Sequence, residues 1–135
     1  MVQLNGDKIE ISTAFPHCIG VVTGTGAFVA DTASLDWHGR FMKDEWGRTI
    51  YEYNENGEKV AKENPNYDPN QEYVPRMQRK EWSPIGLVGK VHVRQDGTLK
   101  VGGFAGCKNG IATDATKGYR VLNIINENIA LVLVK

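Results

Sequence analysis

This 135-residue sequence has no net charge, only two cysteines and no long hydrophobic run. Sixteen Lys and Arg residues balance sixteen Asp and Glu residues, so no charge excess attracts nucleic acid or an anionic membrane surface. No apolar stretch approaches the ~20 residues that cross a bilayer, and the first residues do not resemble a signal peptide. These absences predict a protein whose partners are neither nucleic acid nor membrane.

Metal and cofactor sites also lack support in the sequence. Cys18 and Cys107 are far apart and the histidines are scattered, so no chelating spacing is present. The segment Gly24-Thr25-Gly26 lacks the third glycine of a dinucleotide fingerprint and the Lys-Ser/Thr of a Walker loop. We therefore expect no metal and no cofactor, and we interpret both cysteines as small, partly buried apolar residues.

Glycine, in contrast, is abundant, with 15 residues spread through apolar segments. This share is typical of a β protein with many turns. The length suits a single domain spanning residues 1–135. Within it we expect a charged, proline-rich excursion at about 54–83, because its Asn-Pro and Asp-Pro steps propagate neither helix nor sheet.

Apolar residues alternate with period two along most of the chain. This pattern predicts a mostly β fold of antiparallel β-sheets, barrel-like or sandwich-like, with at most one short helix at residues 32–37. The alternation marks seven strands: Lys8–Ile11, 17–23, 48–53, 87–94, 98–104, 119–125 and Ile129–Val134.

Turn residues predict two hairpins. Asp96-Gly97 lies between alternating segments, so residues 90–94 should pair with residues 98–101. Asn126-Glu127-Asn128 predicts a second turn, and the Ile129–Val134 segment after it is apolar throughout. We expect this segment to be buried on both faces or in an interface. The residues that the first hairpin would place on one buried face are Val91, Val93, Leu99 and Val101.

The candidates for a catalytic role are Ser34, His38, Asp44 and Glu45. Their side chains can act as nucleophile or as general acid and base. Ser34 and His38 are close in sequence, but catalytic triads usually combine distant segments, so a solvated turn or helix cap is the alternative. A carboxylate serves as acid or base only where its surroundings tune its pKa, which the sequence does not reveal. The catalytic residues are therefore unknown at this point.

A second group consists of residue types that anchor interfaces or bind ligands. Arginines next to a tryptophan can stack nucleic acid bases, but Glu72 and Glu81 dilute the positive charge here. We interpret the group as salt-bridged surface or subunit contact. Its members are Tyr73, Arg76, Arg79, Trp82 and Trp46.

A series of motifs occurs in one order along the chain: Gly20-Val21-Val22, Trp37-His38-Gly39-Arg40-Phe41, Asp44-Glu45-Trp46-Gly47-Arg48, Asn64-Pro65-Asn66-Tyr67-Asp68-Pro69, Glu72-Tyr73-Val74-Pro75-Arg76, Arg79-Lys80-Glu81-Trp82, Gly86-Leu87-Val88-Gly89-Lys90, Arg94-Gln95-Asp96-Gly97-Thr98, Gly110-Ile111-Ala112-Thr113 and Gly118-Tyr119-Arg120-Val121-Leu122. From about Leu4 to the last residue, this series resembles the peptidase G2 family. Members of that family are C-terminal intramolecular-chaperone, autoproteolytic cleavage domains of phage and prophage tailspike or neck-appendage proteins.

The resemblance implies a domain that promotes trimerisation of a spike or appendage and is then released by autoproteolysis at its N-terminal side, a peptide-bond hydrolysis in cis. Its partners would be the other chains of a homotrimer and the upstream part of its own polypeptide, in the host bacterial cytoplasm during phage or prophage assembly. Family members usually carry the cleavage point upstream of the stretch that residues 4–9 resemble. We therefore expect this chain to be truncated, to lack its scissile bond and to be inactive in isolation.

Two interpretations without enzyme activity stay open. One is a purely structural trimerisation domain. The other is a cell-wall glycan-binding domain, for which exposed aromatic side chains would argue, whereas buried ones would favour the assembly domain. The aromatic residues concerned are Trp37, Trp46, Tyr51, Tyr53 and Trp82.

Overall fold

The computed structural model describes residues 1–30 and 37–135. These residues form mostly β-strands together with two short 3₁₀ turns, Trp37–Gly39 and Arg76–Gln78, which confirms the mostly β fold. The short helix expected at residues 32–37 lies, except for its last residue, outside the described residues. In the described ranges no helix is long and apolar enough to span a bilayer.

Backbone contacts divide the chain into a terminal unit, Met1–Val29 with Ser83–Lys135, and an insert unit, Ala30–Trp82. The insert unit contains strands β4 (Tyr51–Tyr53) and β5 (Lys59–Ala61). The terminal unit contains β1 (Val2–Asn5), β2 (Lys8–Ile11), β3 (Val21–Val22), β6 (Ile85–Gly86), β7 (Gly89–Arg94), β8 (Phe104–Lys108), β9 (Ile111–Ala115), β10 (Tyr119–Asn126) and β11 (Ile129–Val134).

The predicted strands match these bounds to different degrees. Lys8–Ile11 and Ile129–Val134 are correct as predicted, and 119–125 is one residue short of β10. The strand predicted at 17–23 shrinks to β3 and the one at 48–53 to β4, because the rest of each segment pairs through isolated bridges and turns. Strands β1, β5, β6 and β9 were not predicted.

A five-stranded antiparallel sheet in the order β7-β11-β10-β8-β9 is the main element of the terminal unit. β11 lies between β7 and β10, so that Val132 pairs with Val91 on one side and with Val121 on the other. The turn at residues 126–128 joins β10 to β11 as predicted, and the Asn126 side chain accepts a hydrogen bond from the Asn128 amide. The strand β11, which has no polar side chains, is thus an interior strand of the sheet with a neighbour on each side.

The two faces of β11 differ in burial. Ala130, Val132 and Val134 point into the core and are buried, whereas Leu131 and Leu133 on the outer face are half-buried. The expectation of cover on both faces therefore holds for the inner face only. Phe15 packs edge-on against Tyr119 at a centroid distance of 6.0 Å. The buried core comprises Cys18, Val21, Val91, Val93, Leu99, Ala105, Cys107, Ala112, Tyr119, Val121, Ala130, Val132 and Val134.

The hairpin predicted across Asp96-Gly97 is wrong, because β7 pairs with β11 and residues 98–101 form no strand. The Asp96 carboxylate accepts hydrogen bonds from the amide and the hydroxyl of Thr98, and the Asp114 amide donates to the same hydroxyl. These bonds direct the chain away from β7 and toward β9. Of the residues assigned to one buried face, Val101 is 62% exposed, while the other three are buried.

A hairpin that the alternation does not predict joins β8 to β9 at Asn109-Gly110. Both residues have positive φ, 50° and 79°, as a tight two-residue turn requires. β8 consists of Phe-Ala-Gly-Cys-Lys, and small residues carry little alternation of hydrophobicity. Beyond β8 and β9 the sheet curls, so that Gln95 after β7 forms a single parallel bridge with Ala112 of β9 without closing a barrel.

Three chain segments of the insert unit meet in a closed ring of backbone hydrogen bonds. The Met42 amide donates to the Lys62 carbonyl at 2.9 Å, the Lys62 amide to the Ile50 carbonyl at 2.9 Å, and the Ile50 amide to the Met42 carbonyl at 3.0 Å. Two of these segments continue into β4 and β5, which pair across the Asn56-Gly57 turn. We call this arrangement the three-arm ring.

Candidate functional site

The turn between two arms of the three-arm ring carries three sequence-predicted site residues, Asp44, Glu45 and Trp46. Asp44 Oδ1 accepts hydrogen bonds from the Trp46 amide at 2.9 Å and the Arg48 amide at 2.8 Å. Arg48 Nε donates to Oδ2 of the same carboxylate at 3.0 Å. The Asp44 side chain therefore fixes the turn, and it holds Glu45 and Trp46 exposed at the tip.

These hydrogen bonds also set the charge state of Asp44. The backbone amide of Arg48, followed by the amide of Trp46 and the Arg48 side chain, holds the pKa of Asp44 below its ordinary value of 3.8. A carboxyl group with a lowered pKa is a poor proton donor at neutral pH. The geometry thus favours a structural role for Asp44, and Glu45 is the carboxylate of this turn that a substrate can reach.

The structure says less about the other two catalytic candidates, Ser34 and His38. Ser34 lies outside the described residues. His38 is the middle residue of the turn Trp37–Gly39, where its φ of 45° and ψ of 37° fall in the left-handed region that non-glycine residues seldom adopt. Such backbone conformations cluster at functional sites. The assignment of a role to His38, whose side chain is exposed, stays a prediction.

A shallow depression of about 450 Å³ lies around Arg40, which the sequence analysis did not single out. The Arg40 guanidinium donates from Nε and Nη2 to Glu63 Oε1 at 3.2 and 3.1 Å. Its Cζ lies 5.2 Å from the ring centroid of Phe41 and 5.7 Å from that of Tyr67. A guanidinium held in this way can present its other N–H groups to a peptide carbonyl or a carboxylate.

The predicted interface residues separate into two groups in the insert unit. Arg76 stacks on Trp82 with Cζ 3.9 Å from the ring centroid, and Arg79 Nη1 lies 3.9 Å from Glu81 Oε1. One face of the Trp82 indole is thus occupied by a cation, which disfavours base stacking there. Trp82 is nevertheless 45% exposed, close to the 46% of Tyr73, and Trp46 is 76% exposed.

Exposed aromatic side chains also mark one face of the β4–β5 hairpin. Tyr51 and Tyr53 point to the same side of β4 and are 54% and 75% exposed. The Lys59 ammonium lies 4.6 Å from the Tyr51 ring centroid. By the criterion given above, this exposure favours glycan binding over the assembly domain. The Trp37 side chain is outside the described part of the chain.

The terminal unit contains buried thiol and phenol groups. Cys18 Sγ lies 3.7 Å from Tyr119 Oη, and Cys107 Sγ donates to the Ser12 carbonyl at 3.3 Å. Burial, reinforced by Cys18, raises the pKa of Tyr119, so the phenol stays protonated and does not serve as a base. Both cysteines are buried free thiols, as interpreted from the sequence. Among the described residues, no three potential metal ligands cluster.

Known proteins are similar in sequence to this chain over most of its length. A family model described as "Peptidase_G2, IMC autoproteolytic cleavage domain" matches residues 1–129. The pre-neck appendage protein of Bacillus phage B103 is 38% identical over 87% of this chain and 14% of its own length. The putative phage-related protein YobO of Bacillus subtilis strain 168 is 39% identical over 92% of this chain and 16% of its own. The chain therefore spans only about a seventh of the length of these relatives.

Two solved structures share the fold. The C-terminal fragment of bacteriophage phi29 gene product 12 superposes with a TM-score of 0.82 at 37% identity, covering 99% of this chain and 88% of that one. The pre-mature phi29 gene product 12 superposes with a TM-score of 0.87 at 37% identity, covering 99% of this chain and 19% of that one.

Proposed function

Because this chain belongs to the peptidase G2 family of intramolecular-chaperone autoproteolytic cleavage domains, we propose that it assembles a phage or prophage appendage protein as a homotrimer and is then released from it. Release takes place by hydrolysis of a peptide bond at the N-terminal side of the domain, in cis. The partners are two further copies of the chain and the upstream part of the same polypeptide. Assembly takes place in the cytoplasm of the bacterial host.

The observation that carries the proposal is the pair of similar structures. The same fold covers 19% of the pre-mature phi29 chain and 88% of the phi29 C-terminal fragment. A fold that makes up most of a C-terminal fragment and a fifth of a pre-mature chain fits a C-terminal folding aid that is removed on maturation. The phage and phage-related relatives are also much longer than this chain, which covers 14–16% of their length, as expected for one domain of a long polypeptide.

The physical benefit of such a domain follows from the topology of β-rich fibres. Long β assemblies fold slowly, and while incomplete they expose strand edges that aggregate. A terminal domain that holds three chains together raises their effective concentration and sets their register. Its later removal makes the assembly kinetically irreversible.

The test of the proposal uses the parent polypeptide that carries this domain. Mass spectrometry over time should detect a released fragment that contains this domain and has a mass of at least 15.0 kDa, and sedimentation should detect a trimer of the remaining chain. A parent chain that stays uncut but trimeric would assign the purely structural role. A parent chain that is uncut and monomeric would overturn the proposal.

Glycan binding is the second candidate function, because Tyr51, Tyr53 and Trp46 are exposed. Aromatic faces of this kind can cover the apolar face of a sugar ring. Titration of the 135-residue chain with soluble cell-wall fragments, followed by tryptophan fluorescence, tests this candidate. Loss of binding in Tyr51→Ala/Tyr53→Ala, with binding retained in Tyr73→Ala, would favour it, and no binding by the wild-type chain would remove it.

A further inference from the structure

The outer face of β7, β11 and β10 combines apolar and basic side chains in register. On β11 the outward residues are Ile129, which is exposed, and Leu131 and Leu133, which are half-buried. Directly opposite each of them on β7 is a basic or imidazole side chain, since Arg94 pairs with Ile129, His92 with Leu131 and Lys90 with Leu133. On the other side Arg120 of β10 pairs with Leu133. We call these residues the outer face.

The outer face has the composition of an interface and not of an ordinary solvated surface. Its centre is an aliphatic row, and its rim carries the cations Lys90, Arg94 and Arg120, whose long stems can lie along that row, together with His92. None of its positions on these three described strands carries Asp or Glu, although the terminal unit contains five acidic residues elsewhere. A partner surface should therefore be apolar at its centre and negatively charged.

The insert unit of this chain has these properties, since it is negatively charged and exposes aromatic side chains. The terminal unit has eight Lys and Arg against five Asp and Glu, and the insert unit has eight against eleven, so their net charges are +3 and −3. The insert unit also exposes Tyr51 and Tyr53 on the β4–β5 hairpin, with Glu55 and Glu58 in its turn region. Opposite charges on two different units allow one copy to bind the next.

We propose that the outer face of one copy binds the acidic, aromatic β4–β5 hairpin of a second copy of this chain. The inference rests on the trimer of the proposed function and identifies the surfaces that make it. A two-fold contact centred on the outer face would place one basic face against another, which like-charge repulsion opposes. A head-to-tail contact joins unlike surfaces and closes into a ring of three when the rotation fits.

Charge reversal in sedimentation equilibrium tests the proposal over a hundredfold range of concentration. Lys90→Glu/Arg94→Glu should weaken trimer formation by roughly tenfold or more in Kd, and Glu55→Lys/Glu58→Lys should do the same. Combining all four changes in one chain restores opposite charge at every contact, so association should return to within ~3-fold of wild type. Lys108→Glu/Lys117→Glu, which changes net charge equally but lies off these three strands, should have little effect.

The outcomes separate this inference from the proposed function. A trimer that no reversal weakens, or one that the four-fold variant fails to restore, would overturn the outer-face contact and leave trimeric assembly standing. A wild-type chain that stays monomeric over the whole concentration range would overturn the outer-face contact, and a parent polypeptide that is also uncut and monomeric would overturn both. If Lys90→Glu/Arg94→Glu lowered binding of a soluble polyanion such as heparin and left the oligomeric state unchanged, a polyanion and not a second copy would be the occupant.

Discussion

At the scale of single residues, Asp44 shows how one side chain sets both a conformation and a charge state. Its carboxylate accepts hydrogen bonds from two backbone amides and one guanidinium N–H, so the turn forms around an anion. Asp96 acts in the same way toward Thr98 in the terminal unit, and the hydrogen bond from the Thr98 hydroxyl lowers its pKa. In both cases an acidic residue that could suggest chemistry in the sequence is used to shape the backbone.

The lowered pKa of Asp44 predicts an acid-dependent turn. Because the native pKa lies below the unfolded value of 3.8, the ionised carboxylate stabilises the fold above pH 3.8, and this contribution disappears as the pH falls through the native pKa. In an NMR titration, the Trp46 amide should follow a midpoint below 3.8. Asp44→Asn should abolish this titration, and a midpoint at or above 3.8 would contradict the assigned hydrogen bonds.

Two valines predict a contrast in packing. Val132 is fully buried at the centre of the sheet, whereas Val101 is 62% exposed. Val132→Ala should lower the free energy of unfolding by about 2 kcal/mol, and Val101→Ala should change it by less than ~0.5 kcal/mol. Urea unfolding should be followed by circular dichroism, because all three tryptophans are in the insert unit. Equal effects of the two substitutions would contradict the position of residues 98–101.

At the scale of elements, the turn between β10 and β11 was predicted from its own residues, whereas the Asn109-Gly110 turn and the pairing of distant strands were not. The Asn126-Glu127-Asn128 turn is encoded by neighbouring residues and was found. The Asp96-Gly97 signal was misleading, because Thr98 bonds to Asp114 and because β11, more than thirty residues away, competes for β7. The Arg40 depression was missed for the same reason, since Glu63 approaches Arg40 only after folding.

The turn between β8 and β9 predicts a strong dependence on glycine. Gly110 has a φ of 79°, and a Cβ at this position would lie 2.7 Å from Ile11 Cγ2. Gly110→Ala should therefore destabilise the terminal unit by ~1–3 kcal/mol. Gly24→Ala is the matched control, since Gly24 lacks positive φ and has no neighbour within 4 Å of a Cβ. Thermal unfolding that ranks the two variants equally would show that this turn tolerates a side chain.

At the scale of the whole molecule, the neutral charge of the chain conceals opposite charges on its two units, +3 and −3. The zero net charge argues against polyanionic partners for the chain as a whole. It does not exclude a polyanion that binds only the positively charged unit. The positions of the charged residues can be read from the sequence. That several cations share one face of the sheet is seen only from the pairing of β7, β11 and β10.

The proposed position of the cleaved bond predicts that the isolated chain does not cut itself. Hydrolysis upstream of the stretch at residues 4–9, which the family resemblance implies, leaves the bonds from Leu4 onward uncut. Mass spectrometry after prolonged incubation should find the intact 15.0 kDa chain. A discrete internal cut that disappears on replacement of Ser34, His38 or Glu45 would instead place the reaction within these 135 residues and identify the residue responsible.

The three-arm ring has a consequence for how the insert unit comes apart. Each of Met42, Ile50 and Lys62 uses its amide toward one arm and its carbonyl toward the other, so the hydrogen bonds form a cycle with no first or last member. Removing any one arm breaks two of the three ring bonds, so each arm depends on both of the others for its place in the ring. The β4–β5 ladder joins the arms of Ile50 and Lys62 independently of the third arm. The Met42 arm can therefore detach while the β4–β5 hairpin stays paired.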